Sequence, residues 1–190
     1  MKIILASKSP RRKELMNLLN VKYDIIVSDA DETLEDGLSM EEQSKKLAFV
    51  KAKAVFDNTQ GDRIVIGADT LVFKGNKKYG KPLNTEHAFE IIKELKNSTH
   101  QVCTGITVLV QIGDNYKEFI DFSTTSIHIK DMTDSEIEDW INTGKALDKA
   151  GAYAIQEDFA KFIDRIDGNY FGVVGLPIDK VYDIIKNFIV

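Results

Sequence analysis

The sequence predicts a mixed α/β domain: a twisted mixed sheet with flanking helices. Three observations carry that prediction. Short apolar runs read as buried strands, longer segments repeat their apolar residues at helical spacing, and the two kinds do not alternate strictly as βαβ units. A chain of 190 residues is one domain, or one domain with two lobes around a cleft. It is long enough to bury about 70% of its unfolded surface.

The elements follow in order. Residues 2–6 read as a short buried strand and 10–20 as a helix with Leu15, Leu18 and Leu19 on one face. A second strand covers 23–27, and a long helix covers 40–58, with Ser39 as its N-cap. Residues 63–73 are strand-like, although Gly67-Ala68-Asp69-Thr70 interrupts the apolar run. A helix over 84–96 turns Phe89, Ile92 and Leu95 inward. Residues 101–111 and 117–129 form an antiparallel pair joined at Gly113-Asp114-Asn115. A helix over 133–142 opens with a capping box from Thr133 to Glu136, and an amphipathic helix over 178–188 ends the chain. No internal repeat or linker divides it, so the domain is expected to run over 1–190.

Composition excludes several classes. Apolar residues at 43% and charged residues at 29% argue against disorder. A net charge of −5 leaves no broad basic surface for nucleic acid. The single cysteine, Cys103, permits neither an internal disulfide nor a Cys-rich zinc site, and its apolar neighbours mark it as a core thiol. No apolar stretch is long enough for a membrane span, and Lys8, Arg11 and Arg12 interrupt the N-terminal apolar run before it resembles a signal peptide. A cytoplasmic protein is expected.

Three clusters look like chemistry. In Ser7-Lys8-Ser9-Pro10-Arg11-Arg12, Ser9 suits the N-cap and Pro10 the first helical position, so free backbone N–H groups favour an anion. Arg11 and Arg12 oppose the helix dipole there, which a bound phosphate would offset. The segment lacks the glycine-rich loop and Gly-Lys-Ser/Thr ending of a P-loop. The plainer alternative is an ordinary cap with solvated arginines.

In the second cluster, Asp69 lies inside an apolar run. A buried carboxylate there needs a metal, a cation or a shifted pKa, unless it is a turn residue made possible by Gly67. Lys81, in Gly80-Lys81-Pro82, and Lys51 or Lys53 on the long helix are the candidate cations; spacing does not choose between the last two. Asp29, Asp31 and Glu32 form an acidic loop, as loops commonly do. The third cluster is the small-residue stretch 148–156 ending in Gln156, whose amide suits a base edge. A well-packed turn is the plainer reading of it, and also of 172–177. His87, His100 and His128 form no metal set, and no Ser-His-Asp or Cys-His pattern appears.

Taken together, these clusters resemble the Maf family of nucleotide pyrophosphatases, also called septum-formation inhibitor proteins. The matching stretches are 7–12, Asp31-Glu32, 47–52, 67–70, 80–82, 100–105, 148–156 and 173–177, in family order over nearly the whole chain. The form Ala-Gly-Ala-Tyr-Ala-Ile-Gln resembles the branch acting on dTTP and UTP rather than on 7-methyl-GTP. Departures are Asn97-Ser98 in place of a Gly and a basic residue, Lys145 in place of an acidic residue, and Glu157 in place of a Gly.

The resemblance implies a fold similar to the inosine triphosphate pyrophosphatases, with a cleft between two lobes. It implies hydrolysis of dTTP and UTP, or modified pyrimidine nucleotides, to monophosphate and pyrophosphate with a divalent metal, Mg2+ or Mn2+. It makes Asp69 the proton acceptor, Arg12, Thr70 and Gln156 substrate-selecting positions, and Glu32, Lys51 and Lys81 further site residues. Lys51 is thereby preferred over Lys53. Physical chemistry adds that Arg12, Lys51 and Lys81 can neutralise phosphates, with Ser7 and Arg11 beside them, and that Glu32 and Asp69 suit the metal. The expected partner is a nucleoside triphosphate, with no nucleic acid and no membrane; a homodimer is left open. Two rivals stand beside this reading: a non-catalytic regulator of cell division acting through protein contacts, and a nucleotide or nucleic-acid binding module.

Overall fold

The computed structural model describes residues 1–27, 29–33 and 37–189. Its strands are β1 (Lys2–Leu5), β2 (Asp24–Ile25), β3 (Arg63–Lys74), β4 (Lys77–Tyr79), β5 (Ser98–Ile112), β6 (Asn115–Ile129) and β7 (Ile163–Asp167). Its helices are α1 (Pro10–Asn17), α2 (Met40–Asp57), α3 (Thr85–Leu95), α4 (Asp134–Asn142), α5 (Tyr170–Val174) and α6 (Ile178–Ile185), with short 3-10 turns at Ala150–Ala152 and Asp158–Phe162. The strand order is β2-β1-β3-β5-β6-β7, with β4 paired to β3. β1 is parallel to both β2 and β3, whereas β3–β4 and β6–β7 are antiparallel, so the sheet is mixed as expected.

The chain forms two compact units. The first comprises 1–69, 104–123 and 175–190; the second comprises 70–103 and 124–174. In the first, Ile4, Ala6, Val65 and Leu109 pack with Ala52, Val55 and Phe56 of α2. In the second, Ile91, Ile92 and Leu95 of α3 pack with Ile137 and Trp140 of α4 and with Tyr153, Phe159 and Phe162. Cys103 is fully buried in the free thiol form, as its surroundings suggest.

Local chemistry explains most boundaries. Ser39 caps α2 and exchanges bonds with Glu42, while Thr133 and Glu136 form the capping box read from the sequence. Asn84 caps α3. Two readings need correction. The helix after residue 9 buries Leu15 and Met16 while Leu18 is exposed, because α1 stops at Asn17 before Leu18 can join a helical stripe. The side chain of Ser9 does not cap α1; the Ser9 N–H instead donates to Ser7 Oγ at 3.2 Å. β4, β7 and α5, each of five residues or fewer, were not legible as elements. Asn97 has a φ of +49°, a conformation asparagine tolerates better than most residues.

Two glycines set the distance between α2 and the sheet in the first unit. A Cβ on Gly67 would lie 2.5 Å from the Ala48 carbonyl oxygen and 2.8 Å from Ala52 Cβ. A Cβ on Gly105 would lie 2.2 Å from the Ser44 carbonyl oxygen. Ser44, Ala48 and Ala52 recur every four residues, so one stripe of small side chains lies against bare strand backbone. Gly67→Ala is expected to destabilise the protein by about 1–3 kcal/mol, as overpacking does. Thermal or urea denaturation checks this, and an unchanged midpoint would show that α2 shifts freely.

Candidate active site

The site of the first unit begins where β1 ends. Ala6 is still held by the sheet, its N–H donating to the Ile66 carbonyl at 2.8 Å. Ser7 follows, nearly buried, and Pro10 then starts α1. Arg11 and Arg12 lie in the first turn, as the spacing predicts. The Arg12 side chain turns back along the helix. Its Nε donates to the Gly175 carbonyl at 2.8 Å and its Nη1 to Ser7 Oγ at 3.3 Å. The stretch 172–177, read from the sequence as tight packing, thus also supplies an acceptor that fixes Arg12. Neither its composition nor its spacing signals that role, because a main-chain carbonyl leaves no residue signature.

Burial lowers the Arg12 pKa, and repulsion from Arg11 lowers it further; Asp69 and Glu32 oppose both effects. Arg12 therefore lies within electrostatic reach of both carboxylates.

Asp69 is not a turn residue. β3 runs without interruption through Gly67 and Asp69, and Asp69 is only 8% exposed. Its partner is Lys51 of α2, whose Nζ donates to Asp69 Oδ1. The same ammonium lies 3.1 Å from Glu32 Oε2. Lys53 pairs instead with Asp57 one turn along the same helix, at 2.6 Å, so the structure selects Lys51. The close approach allowed by Gly67 and Gly105 holds α2, and with it Lys51, against the strand that carries Asp69. Asp31 is engaged locally: its Oδ1 accepts the Thr33 N–H at 2.9 Å and hydroxyl at 2.6 Å, and these bonds lower its pKa.

The first unit therefore gathers Ser7, Arg11, Arg12, Glu32, Lys51 and Asp69. Arg11, Arg12 and Lys51 outnumber the two carboxylates, which suits an anionic ligand. The described residues contain no group of three or more His, Cys, Asp or Glu able to hold a metal. Glu32 and Asp69, converging on one ammonium, are a donor set that fits a hard divalent cation completed by water and phosphate oxygens.

The second unit holds Thr70, Lys81 and Gln156. Thr70 follows Asp69 on β3 and is half-buried; successive strand side chains point to opposite faces. Lys81 is exposed, in the irregular segment after β4. Gln156 is exposed at the end of the small-residue stretch. The structure joins those two segments: the Gly151 N–H donates to the Gly80 carbonyl at 3.1 Å. Gly151 has a φ of +71°, the left-handed region that glycine reaches without a Cβ clash. Trp140 Nε1 donates to the Ala152 carbonyl at 2.8 Å, and Tyr153 Oη lies 2.6 Å from His100 Nε2 in the core. Burial, with smaller contributions from Lys74 and His128, brings the His100 pKa down to about 4, so this histidine is neutral near pH 7. His128 Nδ1 meets Thr99 Oγ1 at 3.0 Å, and His87 Nδ1 accepts the Leu83 N–H at 3.3 Å. All three histidines are used structurally.

A mixed α/β sheet that carries a buried carboxylate–lysine pair and two arginines at a strand-to-helix turn has the chemistry that suits a phosphate-rich ligand. The comparisons specify which family. The sequence model described as Maf-like protein matches residues 2–188, and the chain belongs to the Maf family. It is 45% identical over 188 residues to the dTTP/UTP pyrophosphatase of Alkaliphilus metalliredigens (strain QYMF), covering 98% of this chain and 96% of that protein. It is 40% identical over 188 residues to the dTTP/UTP pyrophosphatase of Clostridioides difficile (strain 630), covering 99% and 95%. Among solved structures it is similar to the Staphylococcus aureus Ham1 protein, with a TM-score of 0.44 and 19% identity over 68% of this chain and 72% of that one. Among the described residues no helix is long and apolar enough to cross a membrane.

Proposed function

We propose that this protein hydrolyses dTTP and UTP to the nucleoside monophosphate and pyrophosphate, in the cytoplasm. The observation that carries the reading is the Lys51 ammonium held between Asp69 and Glu32, with Arg12 within electrostatic reach. The activity in the names of relatives covering nearly the whole chain supports it.

In this mechanism Asp69 accepts a proton from the attacking water as its oxygen bonds to the α-phosphorus. The bond from that phosphorus to the α,β-bridging oxygen breaks, and pyrophosphate leaves with the electron pair. Arg12, Lys51 and Lys81 stabilise the charge that accumulates on the leaving group. Lys51 also orients the Asp69 carboxylate. Ser7 holds Arg12, and Arg11 adds positive charge at the same turn. Glu32 and Asp69 are the proposed holders of a divalent cation, Mg2+ or Mn2+, which when bound would supply charge neutralisation on the phosphates. Thr70 and Gln156 are the proposed substrate-selecting residues, with Gln156 on the base.

Purified protein incubated with a panel of nucleotides and either metal tests the reading. UTP and dTTP are expected to yield monophosphate and pyrophosphate, and chelation is expected to stop turnover. Release of single phosphate, or no turnover with any nucleotide and metal, rejects it.

A further inference from the structure

We infer that Lys149 is a positioning residue for Gln156, acting through an ion pair with Glu157; this deepens the proposed function and rests on it. Lys149 is only 5% exposed, which is rare for a lysine. A buried ammonium must be compensated closely, and this one is. Its Nζ donates to the Lys145 carbonyl at 2.5 Å and to Asp148 Oδ1 at 2.7 Å, and it lies 3.3 Å from Glu157 Oε1. The first two partners precede the stretch 150–156 and the third follows it. One buried charge therefore ties together the two ends of the segment that presents Gln156.

The pins within that segment are unevenly distributed. Its first half is held at Gly151 by Gly80, at Ala152 by Trp140, and at Tyr153 by His100. Ala152 has a φ of +64°, a conformation that persists for a residue with a Cβ only where its surroundings fix it. In the second half Ile155 is buried in the core, while Gln156 is exposed. Glu157 is the polar anchor immediately after it. Its other oxygen, Oε2, is buried without a hydrogen-bond partner. Lys149 is the ammonium within ion-pair distance of Glu157, whereas Lys145 pairs directly with Asp158 at 2.8 Å and acts on Glu157 only at longer range. Releasing Glu157 frees the backbone on one side of Gln156 and leaves the pins of the first half in place.

The test uses the full chain and the variants Glu157→Gln and Lys149→Met. In each, the ratio of kcat/KM for UTP to that for CTP is expected to fall about tenfold, through KM, with kcat for UTP within about twofold. Amide hydrogen exchange is expected to quicken at residues 154–157 and not across the second unit as a whole. The proposal stands only if both changes appear. An unchanged UTP-to-CTP ratio overturns it, and so does exchange that is unchanged or raised uniformly, the mark of a merely stabilising pair. Gln156→Glu in the same assay separates the two levels. If that variant shifts base preference and the clamp variants do not, positioning by Lys149 fails; if it does not shift it either, base reading by Gln156 fails. Wild-type protein without turnover on any nucleotide rejects the proposed activity itself, while the exchange measurement still decides whether Lys149 orders the segment.

Discussion

Asp69→Asn is expected to lower turnover of UTP and dTTP by at least about 10²-fold, the range of a general base. Asparagine keeps the size and shape of the side chain and cannot accept the proton of the attacking water at neutral pH. It also removes one of the two carboxylates that suit a divalent cation. The fold should survive. Lys51 retains Glu32 at 3.1 Å, and the asparagine amide oxygen can still accept from the ammonium. Circular dichroism with a melting curve, run beside the kinetics, distinguishes lost chemistry from lost structure. Near-wild-type turnover at saturating nucleotide and metal would remove Asp69 from the mechanism.

Gln156→Glu is expected to lower kcat/KM for UTP and dTTP by about 10- to 100-fold, the consequence of leaving a buried polar group of the bound base unpaired at about 1–3 kcal/mol. Thymine and uracil present an N3–H donor beside the O4 acceptor. A glutamine amide offers the complementary acceptor and donor and can pair with both. An ionised glutamate only accepts, which suits the N1–H and N2–H2 donors of guanine. Preference should therefore move toward guanine nucleotides. If Gln156 only supports the local turn, all nucleotides slow by the same factor. The UTP-to-GTP ratio of kcat/KM in the two proteins decides between these outcomes, and an unchanged ratio rejects base reading.

Several residues were legible for physical reasons that need no neighbours. Ser39 and Thr133 start their helices through bonds made within one turn, so a short window contains both partners. The apolar run of β3 marks Asp69 as anomalous wherever the strand lies, because a carboxylate in that setting demands compensation. Arg11 and Arg12 likewise stand out, because two cations in the first turn of a helix oppose its dipole. The mixed sheet, too, followed from the order and length of apolar segments.

Other features could be decided only by tertiary structure. Lys51 and Lys53 are two residues apart on one helix, and both border apolar positions; spacing left them open, the family resemblance preferred Lys51, and the structure supplies the physical reason, since the face of α2 that meets β3 turns Lys51 toward Asp69 and leaves Lys53 to Asp57. The carbonyl of Gly175 that holds Arg12 lies 163 residues away along the chain. The bond between Gly151 and Gly80 likewise joins two turns that share no pattern. Leu18 was expected inside because periodicity assumes that the helix continues, and α1 ends one residue earlier. The sequence by itself determined which residues require compensation. Only the tertiary structure determined which partner supplies it, because main-chain acceptors and close backbone contacts depend on long-range geometry rather than on local spacing.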